Sequence, residues 1–440
     1  MLRFKSAAIY IISASLSSVT MLYFNWNLLH KRGFECQLLN EYDVPVFPHK
    51  PETQHVECGR VLRGDQAYIK DIALKRPALK KNRWLNMTCT EIKSRVLPPK
   101  PLKKLDFGVA YARVVYESYE FIEDEIRSSF HPQNIFCFSV DAKSDDDFYY
   151  KIIALSICLP NVLLSPVRRS VNRRGNNMNQ AHYDCLQLLS EHKSWGYVLL
   201  LQNYDMMIKT VYETVSILKE FGGANDICVR PCERKRWNHS AKWDVRSLKL
   251  FRNESQATKA QLTTNLTMVR GFVQCSLSRA AVDWAVKIVD LTPLINQLNI
   301  NEYAIDETLW SVLQMNDDLQ MPGSFTAKCL NNETYVPCIT RHNICIFGIE
   351  NLQRLSTIRG LMANKPYPSF DYAIVDCTHE LLFNRTFLGQ VDHELDVRFY
   401  DSFENVRYHK NSLNPDPAYK LQCPRPKLKG FFVGHESFLF

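Results

Sequence analysis

No stretch of this 440-residue chain repeats another, and none is of low complexity. Repeat solenoids and fibrous arrays are therefore excluded. A basic motif is missing too: the net charge of +8 is modest for the length, and its cations are scattered. Little is available to recruit nucleic acid, although a phosphate-bearing small molecule needs only a few basic residues. No cysteine and histidine residues stand at zinc-binding spacing, so no metal centre is expected. What the chain does have is 46% hydrophobic content, enough to bury one large core or two smaller ones.

Its N-terminal region is distinctive. "SAAIYIISASLSSVTMLYFNWNLL" (6–29) carries no formal charge and is long enough to cross a bilayer as a helix. Arg3 and Lys5 precede it and Lys31 and Arg32 follow, so counting positive charge does not orient it. No clear small-residue cleavage site follows the run, which favours an uncleaved signal anchor over a signal peptide. Fourteen cysteines suit an oxidising compartment. Glycosylation sequons occur at Asn86, Asn238, Asn253, Asn265, Asn332 and Asn384, as on a secreted or lumenal surface. Together these features imply a cytosolic tail at 1–5, a transmembrane anchor at 6–29 and a lumenal body. Residues 30–57, including "EYDVPVFPHKPETQ", read as a stem. Residues 58–106 form a basic, mixed segment ending in "LPPKPLKK", attached to a catalytic body at 107–440.

Within the body, "FGVAYARVV" (107–115), "NIFCFSVD" (134–141), "NVLLSP" (161–166) and "YVLLLQNYD" (197–205) are short β-branched and aromatic runs. Helix-like stretches at 117–129, 146–158 and 178–191 lie between them. Strands alternating with helices predict an α/β fold, with a mostly parallel sheet flanked by helices. Ligands bind such sheets at the carboxyl ends of the strands. Two runs end there in an acid, Asp141 and Asp205, each a turn former or a site residue. In "YAIDETLWSVL" (303–313) the pair Asp306–Glu307 precedes Leu309, Trp310, Val312 and Leu313. Taken alone, that is a helix start with carboxylates at the favoured end. Asp145 and Asp147 in "SDDDF" have the spacing of a metal–diphosphate motif, but they open a helix-like run and read more simply as solvated helix-start residues.

Many blocks, in order, carry a family resemblance. They are "ECGRVLRGD" (57–65), "NMTC" (86–89), "HPQNIFCFSVDAKS" (131–144), "CLPNVLLS" (158–165), "NMNQAHYDCLQLL" (177–189), "WGYVLLLQNYDMMIKT" (195–210), "RGFVQCSLSRAAVDW" (270–284), "DETLW" (306–310), "RHNICIFGIENL" (341–352), "ANK" (363–365) and "AIVDC" (373–377). This series resembles the core-2/I-branching β-1,6-N-acetylglucosaminyltransferases, a family that also includes peptide O-xylosyltransferases; its nematode-type members look most similar. The resemblance implies a glycosyltransferase type A (GT-A) fold in a type II Golgi membrane protein. It implies an inverting transfer from a UDP-sugar donor to a glycan or glycoprotein acceptor, with no metal or other cofactor. N-acetylglucosamine in β-1,6 linkage is the leading expectation. The alternatives are xylosyl transfer to a core-protein serine, and a catalytically silent member that binds glycans or partners in the secretory pathway.

By the same resemblance, Glu307 is the base that takes the acceptor's proton, with Asp306 as a helix cap or orienting neighbour. Arg341 and Lys365 stabilise the departing diphosphate. In the family's vertebrate pattern the arginine lies three residues before the cysteine of this segment, whereas Arg341 is four before Cys345 and His342 takes the expected place. Asp141 falls at the uridine contact, and Arg236 and Trp237 at the acceptor pocket. Asp226 is the one acid near the upstream acceptor region. The family's bridges imply Cys58–Cys377, Cys89–Cys158, Cys137–Cys185 and Cys338–Cys345. Cys36, Cys228, Cys232, Cys275, Cys329 and Cys423 remain, and spacing does not decide their pairing.

Overall fold

A computed structural model describes residues 44–300, 305–330, 336, 338 and 346–424, with the backbone of 341–344. The chain divides into the units Met1–Val46 and Phe47–Phe440. Of the first, only 44–46 are described, a short stretch without regular structure. The expected anchor at 6–29 lies outside the described residues. Among those described, no helix is long and apolar enough to cross a membrane.

The second unit is built on strands β1 (Gly108–Val115), β2 (Ile135–Val140), β3 (Val162–Leu164) and β4 (Trp195–Leu201). They correspond to the four apolar runs read from the sequence. Helices Tyr119–Ser129, Asp146–Cys158 and Met178–Ser190 connect them, close to the stretches predicted. Strand pairs β1–β2, β1–β4 and β2–β3 are parallel. Further along are β5 (Met206–Met207), β6 (Arg230–Pro231), β7 (Val269–Arg270), β8 (Ser276–Ser278), β9 (Arg341–Ile344) and β10 (Met362–Asn364). The main sheet runs β3-β2-β1-β4-β8, with β8 antiparallel on its edge. A second sheet runs β5-β10-β9, and β6 pairs with β7. The architecture is mixed α/β around a mostly parallel central sheet.

Period-two alternation explains why both faces are covered. Val109, Tyr111 and Val115 of β1 join Phe136, Phe138 and Val140 of β2 in one core. Ala110 and Ala112 join Ile135 and Cys137 in the other. Arg113 breaks the apolar run and is 4% exposed. It is held there by Glu125 at 3.0 Å and by the Asp205 carbonyl at 2.7 Å. Glu125 also accepts from the Met207 N–H and lies 2.9 Å from His379 Nε2, so the buried charges are paired and hydrogen-bonded, as burial requires. This network fixes the turn after β4.

Part of the stretch read as stem is docked on the body. Lys50 pairs with Asp124 at 2.9 Å, and His49 pairs with Asp376 at 2.9 Å. The bridges Cys58–Cys377, Cys89–Cys158 and Cys137–Cys185 form as the resemblance implied. The expected Cys338–Cys345 bridge does not: Cys338 is bonded to Cys228, and Cys345 lies outside the described residues. The cause is a local pairing. Val229 and Val336 exchange backbone hydrogen bonds of 3.1 and 2.9 Å, which brings the Cα atoms of Cys228 and Cys338 to 4.8 Å. Cys329–Cys423 is a fifth bridge, and Cys36 lies outside the described residues. Peptide mapping without reduction is expected to recover Cys228 linked to Cys338 and Cys329 linked to Cys423. A peptide joining Cys338 to Cys345 would contradict this pairing.

Candidate active site

The Glu307 turn is placed by two glycines. Residues Ile305–Glu307 form one 3-10 turn, and the helix Leu309–Met315 starts just beyond it. Gly271, next after β7, donates its N–H to the Glu307 carbonyl at 2.7 Å. A Cβ at Gly271 would lie 2.0 Å from the Cys228 carbonyl oxygen and 2.4 Å from Ser311 Oγ, so no side chain fits this approach. Gly175, with φ +90°, touches the turn from another loop: a Cβ there would lie 2.3 Å from Asp306 Oδ1. Asp306 is therefore packed against that loop.

The Glu307 carboxylate is 23% exposed and asymmetrically held. Arg236 Nη1 donates to Oε2 at 2.9 Å, and Arg270 Nη1 stands 3.7 Å from the same oxygen. Oε1 accepts no hydrogen bond among the described residues. Glu233 steadies both guanidiniums, at 2.5 Å from Arg236 Nε and 2.8 Å from Arg270 Nη2. Cys232 is unbridged and half-buried beside this group. Burial pushes its thiol up to about 11, so it is no nucleophile near neutral pH. Trp237 is half-buried, its ring 3.9 Å from His239 and 6.1 Å, edge-on, from Trp243.

A second group gathers where strand order reverses between β1 and β4, the place where such sheets bind ligands. Its centre is Asp205, fully buried in a turn between β4 and β5. Its carboxylate accepts from the Gln202 N–H at 2.6 Å, from the Gln274 amide at 3.1 and 3.0 Å, and from the Asn364 amide at 2.6 Å. Gln274 lies three residues beyond Gly271 and Asn364 immediately precedes Lys365, so Asp205 ties the Glu307 side of the site to the lysine. Lys365 Nζ lies 5.0 Å from the Tyr367 ring centroid and forms no ion pair among the described residues. Tyr204 packs edge-on against Tyr367 and Tyr116, with centroids at 5.0 and 5.9 Å.

The other expected residues stand on further elements of the fold. Asp141 sits just past β2, 6% exposed. It accepts from the N–H groups of Lys143 at 2.7 Å and Val171 at 3.2 Å, which closes the loops after β2 and β3 against each other. Arg341 lies on β9 with only its backbone described. Asp226 is buried, pairing through its backbone with Ser276. Asp145 caps the helix Asp146–Cys158, accepting from the Phe148 N–H at 2.7 Å. Both Asp145 and Asp147 pair with Lys81, at 2.9 and 3.1 Å, as befits helix-start residues. Of the sequons, Asn86, Asn238, Asn253 and Asn265 are exposed, Asn384 is half-buried in the helix Ala373–Phe387, and Asn332 lies outside the described residues. A polar hollow of about 440 Å³ surrounds Asn265, Asp317 and Asp318. It lies beyond the far end of the Leu309–Met315 helix, roughly 10 Å along it from Glu307, and takes no part in the site.

A base candidate with one oxygen open among the described residues, linked through Asp205 to a sheet end that bears Lys365, suits sugar transfer from a nucleotide donor. A family model described as "Branch: Core-2/I-Branching enzyme" matches residues 109–356. The chain belongs to this family. The branching enzyme is thus a glycosyltransferase. Among its relatives is the beta-1,3-galactosyl-O-glycosyl-glycoprotein beta-1,6-N-acetylglucosaminyltransferase of bovine herpesvirus 4 (strain LVR140), 29% identical over 402 residues, or 82% of this chain and 89% of that one. The corresponding enzyme 3 of Bos taurus is 29% identical over 378 residues, covering 77% and 84%. That of Rattus norvegicus is 27% identical over 380 residues, covering 77% and 85%.

Sequence reading missed Arg270, Glu233, Gln274 and Asn364 in this branching enzyme. Arg270 and Gln274 stand in the quoted block "RGFVQCSLS". A cation and an amide inside an apolar run were the available signal.

Proposed function

We propose that this branching enzyme transfers N-acetylglucosamine, with inversion, from UDP-N-acetylglucosamine to a glycan hydroxyl in β-1,6 linkage. The observation that carries the reading is the Glu307 carboxylate, with Oε2 held by Arg236 and Oε1 open. In this scheme Oε1 takes the acceptor hydroxyl's proton as that oxygen attacks the anomeric carbon. The bond from the anomeric carbon to UDP breaks, and the charge left on the diphosphate is met by Lys365 and, as the family resemblance implies, by Arg341. Arg236 and Arg270 fix the carboxylate's direction, and Trp237 offers a ring to the acceptor sugar. Asp141 shapes the uridine end through the loops it joins.

The scaffold is read as GT-A, in keeping with the mostly parallel sheet. Residues 6–29 are read as a Golgi signal anchor, with 1–5 cytosolic, 30–57 a stem, 58–106 an attached segment and 107–440 the catalytic domain. The five disulfides among the described residues support an oxidising lumen.

The test is transfer by the full-length chain from a panel of UDP-sugars to a β-1,3-galactosyl-N-acetylgalactosamine glycoside. N-acetylglucosamine is expected to appear on the 6-hydroxyl, read by NMR of the product. Transfer from UDP-xylose to a serine peptide instead would replace donor and acceptor, and no turnover of any donor would end the enzymatic reading. Activity is expected to persist in EDTA, because cations take the place of a metal on the diphosphate. Loss in EDTA with recovery in manganese would overturn this and direct attention to Asp145 and Asp147.

A further inference from the structure

The loops that contact the Glu307 turn carry exposed cations that have no partner among the described residues. Arg173 and Arg174 are exposed in the loop before the helix Met178–Ser190. That loop is bonded to the turn: the Ile305 N–H donates to the Arg174 carbonyl at 3.2 Å, and Gly175 lies against Asp306. Arg234 and Lys235, also exposed, share the 3-10 turn Arg234–Arg236 with the residue that holds Glu307. None of these four side chains forms an ion pair or hydrogen bond among the described residues. Their neighbours differ. Arg168 donates to the carbonyls of Asp141, Ala142 and Ser144, Arg169 pairs with Asp184, and Arg236 and Arg270 pair with Glu233 and Glu307.

An excess of cations at the mouth of a site draws anions to it. The diphosphate is already served by Lys365 at the other end of the Asp205 network. The base and its flanking loops belong to the side where the acceptor hydroxyl must arrive. Paired guanidinium forks match planar carboxylates and sulfates. Building on the transferase reading, we propose that the preferred acceptor is an acidic glycan, with a carboxylate or sulfate beside the receiving hydroxyl, held by Arg173 and Arg174. Arg234 and Lys235 widen the field that steers it in.

The test is a calorimetric titration of the full-length enzyme, with UDP present, using two probes. One is the neutral β-1,3-galactosyl-N-acetylgalactosamine glycoside, and the other is the same glycoside sulfated on its galactose. The sulfated probe is expected to bind about tenfold more tightly at low salt, the scale of a few exposed ion pairs, and to lose that advantage at high salt. Arg173→Ser/Arg174→Ser is expected to bring the ratio of the two affinities close to one, and Arg173→Lys/Arg174→Lys to keep most of it. Equal binding of the two probes by the wild type would overturn the proposal. So would a serine variant that keeps the ratio, or one that instead weakens UDP binding, which would assign the pair to the donor. Because binding is read directly, a failure of transfer to either probe would count against the proposed reaction and leave this outcome legible.

Discussion

Glu307→Gln is expected to lower kcat by a factor on the order of 10² or more, the range of a lost general base. Glutamine keeps the size of the side chain and can still accept from Arg236, but it does not take a proton from the acceptor. The fold should tolerate the change. Arg236 and Arg270 both retain Glu233, at 2.5 and 2.8 Å, so neither guanidinium is left without a carboxylate. The turn itself is held by backbone, through the Gly271 N–H on the Glu307 carbonyl. Tm and UDP affinity should stay close to wild type. If Asp306–Glu307 served only to begin a helix, turnover per folded molecule would hardly change, and stability would fall by about 1 kcal/mol or less. Turnover and melting measured on one preparation separate the two, and near-normal turnover in the glutamine variant would end the catalytic reading.

Lys365→Ala should act on the donor instead. Its Nζ has the Tyr367 ring as neighbour and no ion pair among the described residues, so removing it strands no buried charge and should leave Tm close to wild type. A charge-assisted contact to a phosphate oxygen is worth about 1.5–3 kcal/mol, so UDP should bind about tenfold or more weakly. The charge on the leaving group is larger at the transition state than in the bound donor, so kcat should fall as well, by about 10². Calorimetric titration of UDP into the folded variant decides the matter. Unchanged affinity would remove Lys365 from the donor site and leave the charge of the diphosphate to Arg341.

The amino-acid sequence by itself determined the four parallel strands, the helices between them and the position of Glu307 at the edge of a helix. These are local matters. Runs such as "GVAYARVV" are apolar but for Arg113 and are buried along their whole length, and a run of that kind has few places to go except the middle of a covered sheet. Asp145 carries its own cap to Phe148 in the next turn of chain. Three bridges were also legible, through the motifs in which their cysteines stand. The tertiary structure decided the partners. Arg236 meets Glu307 across 71 residues of sequence, and Asn364 meets Asp205 across 159. Cys338 takes Cys228 because two valines pair beside them. Asp205 looked like one more strand-end acid, and only the folded chain brings Gln274 and Asn364 to it. A hydrogen bond or ion pair depends on distance in space, and over such separations the chain's own pattern carries no record of which groups will meet. That contact is set by how the sheet, its loops and the second small sheet pack, after local preferences have been satisfied.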